Sequence, residues 1–175
     1  MPLLLLKVNR LSAVFWDVDG TLADTEMDGH RPAFNMAFKE LDLPFVWDEA
    51  LYKRLLAIPG GLRRVKLHAE TCGVHLSQNQ LDQVRDRKRV HYLERVRQGH
   101  VQLRPGVKRL LQELSRAGVQ QWIVTSSGSA SVMALLEQIQ KQIPSFDGVV
   151  TSDDVASGKP APDGYRLALE RSGSN

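Results

Sequence analysis

Apolar and polar positions along the chain follow two patterns. Ala13-Val14-Phe15-Trp16 is a short unbroken apolar run that stops at Asp17, and Asp19-Gly20-Thr21 follows it. This predicts a buried strand closed by a glycine turn. From there to Leu103 the period is helical. Phe34, Ala37, Phe38 and Leu41 recur at i, i+3, i+4 and i+7 within 29–41, and Pro44 ends the run. Asp48 is placed to cap a second helix carrying Leu51, Tyr52, Leu55 and Leu56, which stops at Pro59-Gly60-Gly61. A short helix is predicted over 62–70. Ser77 is placed to cap a longer one that reaches about Gln98, with Leu81, Val84, Tyr92 and Val96 turned inward. No convincing strand falls within 27–103.

After Arg104 strands return. Pro105 stands where a first helical residue belongs and Gly118 where the chain leaves a last turn, with Val107, Leu110, Leu111 and Leu114 keeping the helical period between them. Trp122-Ile123-Val124 is a short apolar strand that ends in Thr125-Ser126-Ser127-Gly128. A helix with Val132, Leu135, Leu136 and Ile139 on one face follows, then a buried strand at Gly148-Val149-Val150-Thr151. Pro160 and Pro162 bracket a loop, and Asp163 opens a last helix to about Arg171. Strand and helix alternate in 11–26 and 104–175, which predicts an α/β fold with a parallel sheet. The helical stretch 27–103 reads as an insertion between the first strand and the next.

Composition narrows the class. Of 175 residues 42% are apolar and 25% charged, which excludes disordered, collagen-like and coiled-coil chains. A chain of this length buries a real core without staples. Cys72 is the only cysteine, so neither a disulfide framework nor a CxxC zinc site is expected, and the cytoplasm is the expected location. The four leucines within Met1–Lys7 are too few for a signal segment or a membrane span, so no membrane is expected. A net charge of +3 and dispersed aromatics argue against nucleic acid. The run Arg85-Asp-Arg-Lys-Arg89 reads as the solvated face of the long helix.

Ligands of parallel α/β sheets bind beyond the carboxyl ends of the strands. Those ends carry Asp17 and Asp19, then Thr125 and Ser126, and the loop after the third strand carries Lys159. Taken singly, these are an Asp-Gly turn, a helix cap and a solvated lysine. Together they suit phosphoryl transfer. One carboxylate serves as nucleophile and the second as general acid, then base. Hydroxyls and N–H groups beside a helix start hold phosphoryl oxygens, and the ammonium offsets charge. Carboxylates beside a phosphate favour Mg²⁺.

Asp17-Val-Asp-Gly-Thr-Leu-Ala-Asp-Thr-Glu26 resembles the first motif of the haloacid dehalogenase (HAD) superfamily. Ile123-Val-Thr-Ser-Ser127 is similar to its second motif, and Ser157-Gly-Lys-Pro-Ala-Pro-Asp163 to its third. The resemblance implies a Rossmann-like core from 1–26 and 104–175, with 27–103 as an all-helical cap of the kind inserted between the first two motifs. It makes Asp17 the nucleophile and a Mg²⁺ ligand. Asp19 becomes the acid/base, its backbone carbonyl a second ligand, and Thr125 and Lys159 complete the catalytic set. Asp28-Gly-His-Arg-Pro-Ala-Phe-Asn35, Trp47-Asp48, Leu51-Tyr52, Leu55-Leu56 and Gly60-Gly61 with Arg64 resemble the CbbY-like group. That group implies a small phosphorylated sugar as substrate, xylulose-1,5-bisphosphate in its characterised members. Leu62 departs from that pattern, which commonly has Lys after the glycine pair.

The candidate substrate-binding residues are Asp24, His30, Arg64 and Ser126. Asp24 either orients sugar hydroxyls or caps the next helix. His30 lies near the hinge to the cap or is a polar helix position. Arg64 either meets a second phosphate or lies on a solvated helix face. Asp153-Asp154 reads as a loop or helix cap in preference to a metal site. The family's fourth, acidic motif lies on a strand that would follow Asn175. The sheet is therefore expected to be incomplete at the C-terminus, as in a fragment or in a chain that covers its open edge by self-association. Two other functions fit the same residues: a sugar phosphomutase similar to β-phosphoglucomutase, and a catalytically silent fragment that acts by binding or assembly.

Overall fold

The computed structural model describes residues 11–174. Three strands, β1 (Ala13–Trp16), β2 (Gln120–Val124) and β3 (Gly148–Val150), form a parallel sheet in the order β1-β2-β3. Phe15 pairs with Trp122 and Trp122 with Gly148, so all three strands end on the same side of the molecule. Ile123 and Val124 are buried as the sequence pattern requires. The four-leucine run within 1–7 lies outside the described residues.

Seven α-helices accompany the sheet among the described residues. α1 (Arg31–Glu40), α2 (Glu49–Leu55), α3 (Gly61–Thr71) and α4 (Gln78–Arg97) make up most of 27–103, where no strand occurs among the described residues. α5 (Val107–Arg116), α6 (Ser129–Ile139) and α7 (Asp163–Ser172) alternate with the strands. One core gathers Leu22, Tyr92, Val96, Leu111, Ile123 and Leu135, so the second half of α4 packs on the sheet side with α5 and α6. A second core lies within the helical segment, around Phe34, Phe38, Trp47, Tyr52 and Val84. On the other face of the sheet Trp122, Val124 and Val150 meet Ala168 of α7. Helices on both faces of a parallel sheet make this the expected α/β fold.

Caps follow the sequence signals. Asp48 accepts from the Leu51 amide at 2.7 Å, and Ser77 with Gln80 closes a reciprocal capping box at α4. Asn35 grips the loop before α2 with two bonds, accepting from the Trp47 amide at 2.8 Å and donating to the Trp47 carbonyl at 2.9 Å.

Three local expectations are corrected. α5 starts at Val107, two residues after Pro105, because Gly106 takes φ +87° ahead of it. β2 starts at Gln120, because Gln121 is buried with its side chain donating to the Leu111 carbonyl and its amide to Asp147. Thr25–His30 forms a π-helical turn ahead of α1, where a helix was expected only from 29. Gly29 in this turn lies against α4, where a Cβ would come within 2.8 Å of the Tyr92 ring.

Candidate active site

Asp17 follows the last residue of β1 and Thr125 the last residue of β2, so the parallel register brings both to one edge of the sheet. The Lys159 ammonium reaches there from the loop after β3. It donates to Asp17 Oδ1 and to the Val124 carbonyl, each at 2.8 Å, and lies over the Tyr165 ring. The Asp17 and Lys159 side chains are 35% and 27% exposed, so the pair is accessible from solvent. Thr125 is buried, with Oγ1 accepting from the Ser127 amide at 3.1 Å.

Asp19 is more enclosed. Thr25 Oγ1 donates to Oδ1 at 2.5 Å, Ser127 Oγ donates to Oδ2, and His30 Nε2 stands 3.4 Å from Oδ1. Burial works to raise the Asp19 carboxyl. The bond and charge of His30 and the bonds from Ser127 and Thr25 outweigh it and hold the group ionised, well below the usual carboxylate range. Asp19 is therefore a carboxylate in this arrangement, accepting hydrogen bonds from both sides.

His30 links Asp19 to the helical segment. Its ring stacks on Tyr92 at 4.2 Å, and Lys88 Nζ lies 2.9 Å from Nδ1. Burial lowers the Lys88 pKa to about 8, against the opposing pull of Glu26 and Asp19. Beyond it, the Tyr52 hydroxyl donates to Glu26 at 2.6 Å. Burial first, then the Glu26 charge, raises the Tyr52 pKa, so its proton stays on the phenol.

Asp19, Glu26, His30, Tyr52, Arg64, Lys88 and Ser126 line one cavity of about 330 Å³ between the helical segment and the start of α6. Asp17, Thr125 and Lys159 lie outside that lining, next to Asp19 along the strand ends. Asp24 is also outside it: its side chain caps the π-helical turn through the Met27 amide at 3.4 Å and stands 3.9 Å from Arg104. Arg64 does not lie on a solvated face. It is 7% exposed and donates to the Leu55 and Ile58 carbonyls and to Tyr52. Ser126 is exposed at the cavity rim, and its neighbour Ser127 makes the bond to Asp19. Asp153 and Asp154 are caps, Asp153 accepting from the Ser129 amide at 2.8 Å and Asp154 from Thr151.

Lys88, Glu26, Tyr52 and Ser127 were not among the candidates from sequence. For Lys88 a signal existed. Val84, Lys88, Tyr92 and Val96 follow each other at i+4 on α4, so the lysine interrupts an otherwise inward row.

A cation site is testable on the donors present. Among the described residues no group of three or more His, Cys, Asp or Glu side chains gathers to hold an ion alone. The Asp17 oxygen not bonded to Lys159 accepts no hydrogen bond among the described residues, and its side chain is partly exposed. One hard carboxylate oxygen of that kind fits Mg²⁺, which keeps water and shares its shell with substrate phosphate.

The fold and these motifs define a hydrolase class. The chain belongs to the haloacid dehalogenase-like hydrolases, whose family model matches residues 11–175. Among its relatives is the plasmid-borne protein CbbY of Cupriavidus necator, 39% identical over 174 residues, an alignment covering 93% of this chain and 66% of that protein. The solved structure of CbbY from Rhodobacter sphaeroides in complex with phosphate superimposes with a TM-score of 0.75 at 32% identity, over 94% of this chain and 73% of that one. A variant of that protein in complex with xylulose-(1,5)bisphosphate gives a TM-score of 0.73 at 32% identity, over 91% and 72%. The chain thus spans about two thirds of the length of the Cupriavidus relative. No helix among the described residues is long and apolar enough to cross a membrane.

Proposed function

We propose that the protein is a Mg²⁺-dependent phosphatase of a small phosphorylated sugar, with xylulose-1,5-bisphosphate the first candidate. The supporting observation is the Lys159–Asp17 contact, which joins residues 142 positions apart at the strand ends beside Asp19. The similarity to CbbY, solved with phosphate and with a bisphosphate sugar, supports the substrate class.

Asp17 attacks phosphorus through one of its carboxylate oxygens. The P–O bond to the sugar breaks and an aspartyl phosphate forms. Asp19, after taking up a proton from solvent, gives it to the leaving oxygen. It then takes one from the water that attacks phosphorus, which releases inorganic phosphate and restores Asp17. Lys159 keeps Asp17 in place and offsets negative charge on the phosphoryl oxygens. Thr125 and Ser126 offer hydroxyl donors to the phosphoryl oxygens. The Asp17 carboxylate and the Asp19 backbone carbonyl would hold Mg²⁺, which would further neutralise those oxygens. The segment 27–103 acts as a cap over a core made of 1–26 and 104–175. It brings His30 and Arg64 to the sugar and excludes bulk water.

The test is phosphate release from xylulose-1,5-bisphosphate with Mg²⁺ and with EDTA. Magnesium-dependent release supports the reading; an isomeric sugar phosphate as product would replace it with a mutase, and silence in both conditions would overturn it.

A further inference from the structure

A second cleft, of about 250 Å³, runs on from the active-site cavity and shares Lys88, Gly128 and Ser131 with it. One wall is α4, with Arg85, Lys88, Arg89 and Tyr92. The other is the α/β part, with Gly128, Ala130, Ser131 and Asp153. Their charges are not equivalent. Arg85 is already paired with Asp82 at 2.7 Å and Asp86 at 3.0 Å, and Lys88 is turned to His30. Arg89 is exposed and makes no ion pair among the described residues. Asp153 accepts from the Ser129 amide and, at 3.3 Å, from Ser152 Oγ, and meets no cation among the described residues. A guanidinium on the helical segment thus faces a carboxylate on the α/β part across open solvent, at the mouth of the site.

We propose that Arg89 and Asp153 form a latch between the two parts of the chain, pairing when the cleft closes over bound substrate. The inference rests on 27–103 acting as a cap. Arginine suits the role, because its fork meets a carboxylate with two bonds and stays charged at all working pH values. Ser129 occupies one Asp153 oxygen and leaves acceptor capacity on the other. An ion pair made only in the closed state raises the closed population and lowers the apparent KM, with little change in kcat. Exposed pairs of this kind are worth about a 2- to 5-fold change in an equilibrium.

Two measurements test the latch, and only the second depends on the phosphatase reading. In Arg89→Lys a carbodiimide joins the introduced amine to the Asp153 carboxylate only if the two come into contact. Peptide mass spectrometry should find that link, and Asp153→Asn should abolish it. Absence of the link in Arg89→Lys overturns the latch whether or not the chain hydrolyses anything. The second measurement is a double-mutant cycle on the KM for xylulose-1,5-bisphosphate. The latch requires Arg89→Glu and Asp153→Lys each to raise KM and the double variant to recover most of the loss. If instead Asp153→Lys lowers KM and the two effects add, Arg89 binds a substrate anion and the latch is wrong.

Discussion

Replacing Lys88 by Met should make the protein more stable and a poorer catalyst. Lys88 sits on the inward row of α4 between Val84 and Tyr92, and its ammonium lies 5.2 and 5.1 Å from the ring centres of Phe34 and Tyr92. Burial depresses its pKa from 10.5 to about 8. That difference corresponds to at most about 3 kcal/mol, at roughly 1.4 kcal/mol per unit. Folding favours the neutral amine. Below pH 8 the lysine is charged in both states and the full cost of burying the ammonium is present. The cost is relieved as pH rises from 8 to 10.5. Met has similar length and no charge, so Lys88→Met should gain up to about 3 kcal/mol at pH 7 and nothing at pH 10.5. Urea unfolding of both proteins at pH 7, 8, 9 and 10 measures this. Equal stability at pH 7, with parallel pH slopes above 8, would refute the reasoning. The cation also lines the 330 Å³ cavity beside Asp19, so wild-type KM for an anionic sugar should climb above pH 8, and in Lys88→Met it should be high and flat.

Other perturbations read the same geometry. Asn35→Leu strips both bonds from the Trp47 backbone and should cost about 2–3 kcal/mol, seen as a lower urea midpoint at unchanged m-value. Ser127→Ala removes one donor to Asp19, so its pKa should rise and the alkaline limb of the kcat/KM profile, where the Asp19 acid loses its proton, should move to higher pH. In Gly148→Ala the new Cβ would meet the Trp122 ring at 2.2 Å, which forces a shift in β2 or β3 and should cost at least about 1–3 kcal/mol in thermal unfolding.

Much of this arrangement is legible in the residues. Short apolar runs ending in Asp17 and Thr125 mark strands, and strand ends in a parallel sheet are where ligands bind, so Asp17, Asp19, Thr125 and Lys159 could be named before any coordinates. What escaped notice was fixed by packing between distant segments. Lys88 was hidden because Arg85–Arg89 is dense in charge, and charge density points to solvent. The inward row at 84, 88, 92 and 96 says the opposite for that one position. Arg64 turned inward because the last residue of α2, Leu55, and the turn after it, at Ile58, leave carbonyls that a guanidinium satisfies. The π-helical turn at Thr25–His30 has no composition signal. It places Thr25 and His30 around Asp19, while Gly29 gives Tyr92 room behind them. The choice of Ser127 over Ser126 depends on which hydroxyl faces Asp19 at the start of α6.

The most direct test of the account is release of inorganic phosphate from xylulose-1,5-bisphosphate by the wild-type chain and by Asp17→Asn, both with Mg²⁺. The account predicts turnover in the wild type and loss of at least about a thousandfold in the variant, since among the described residues no other carboxylate directly follows the end of β1 to replace the nucleophile. Equal turnover in the two would contradict it, because phosphoryl transfer would then not pass through Asp17.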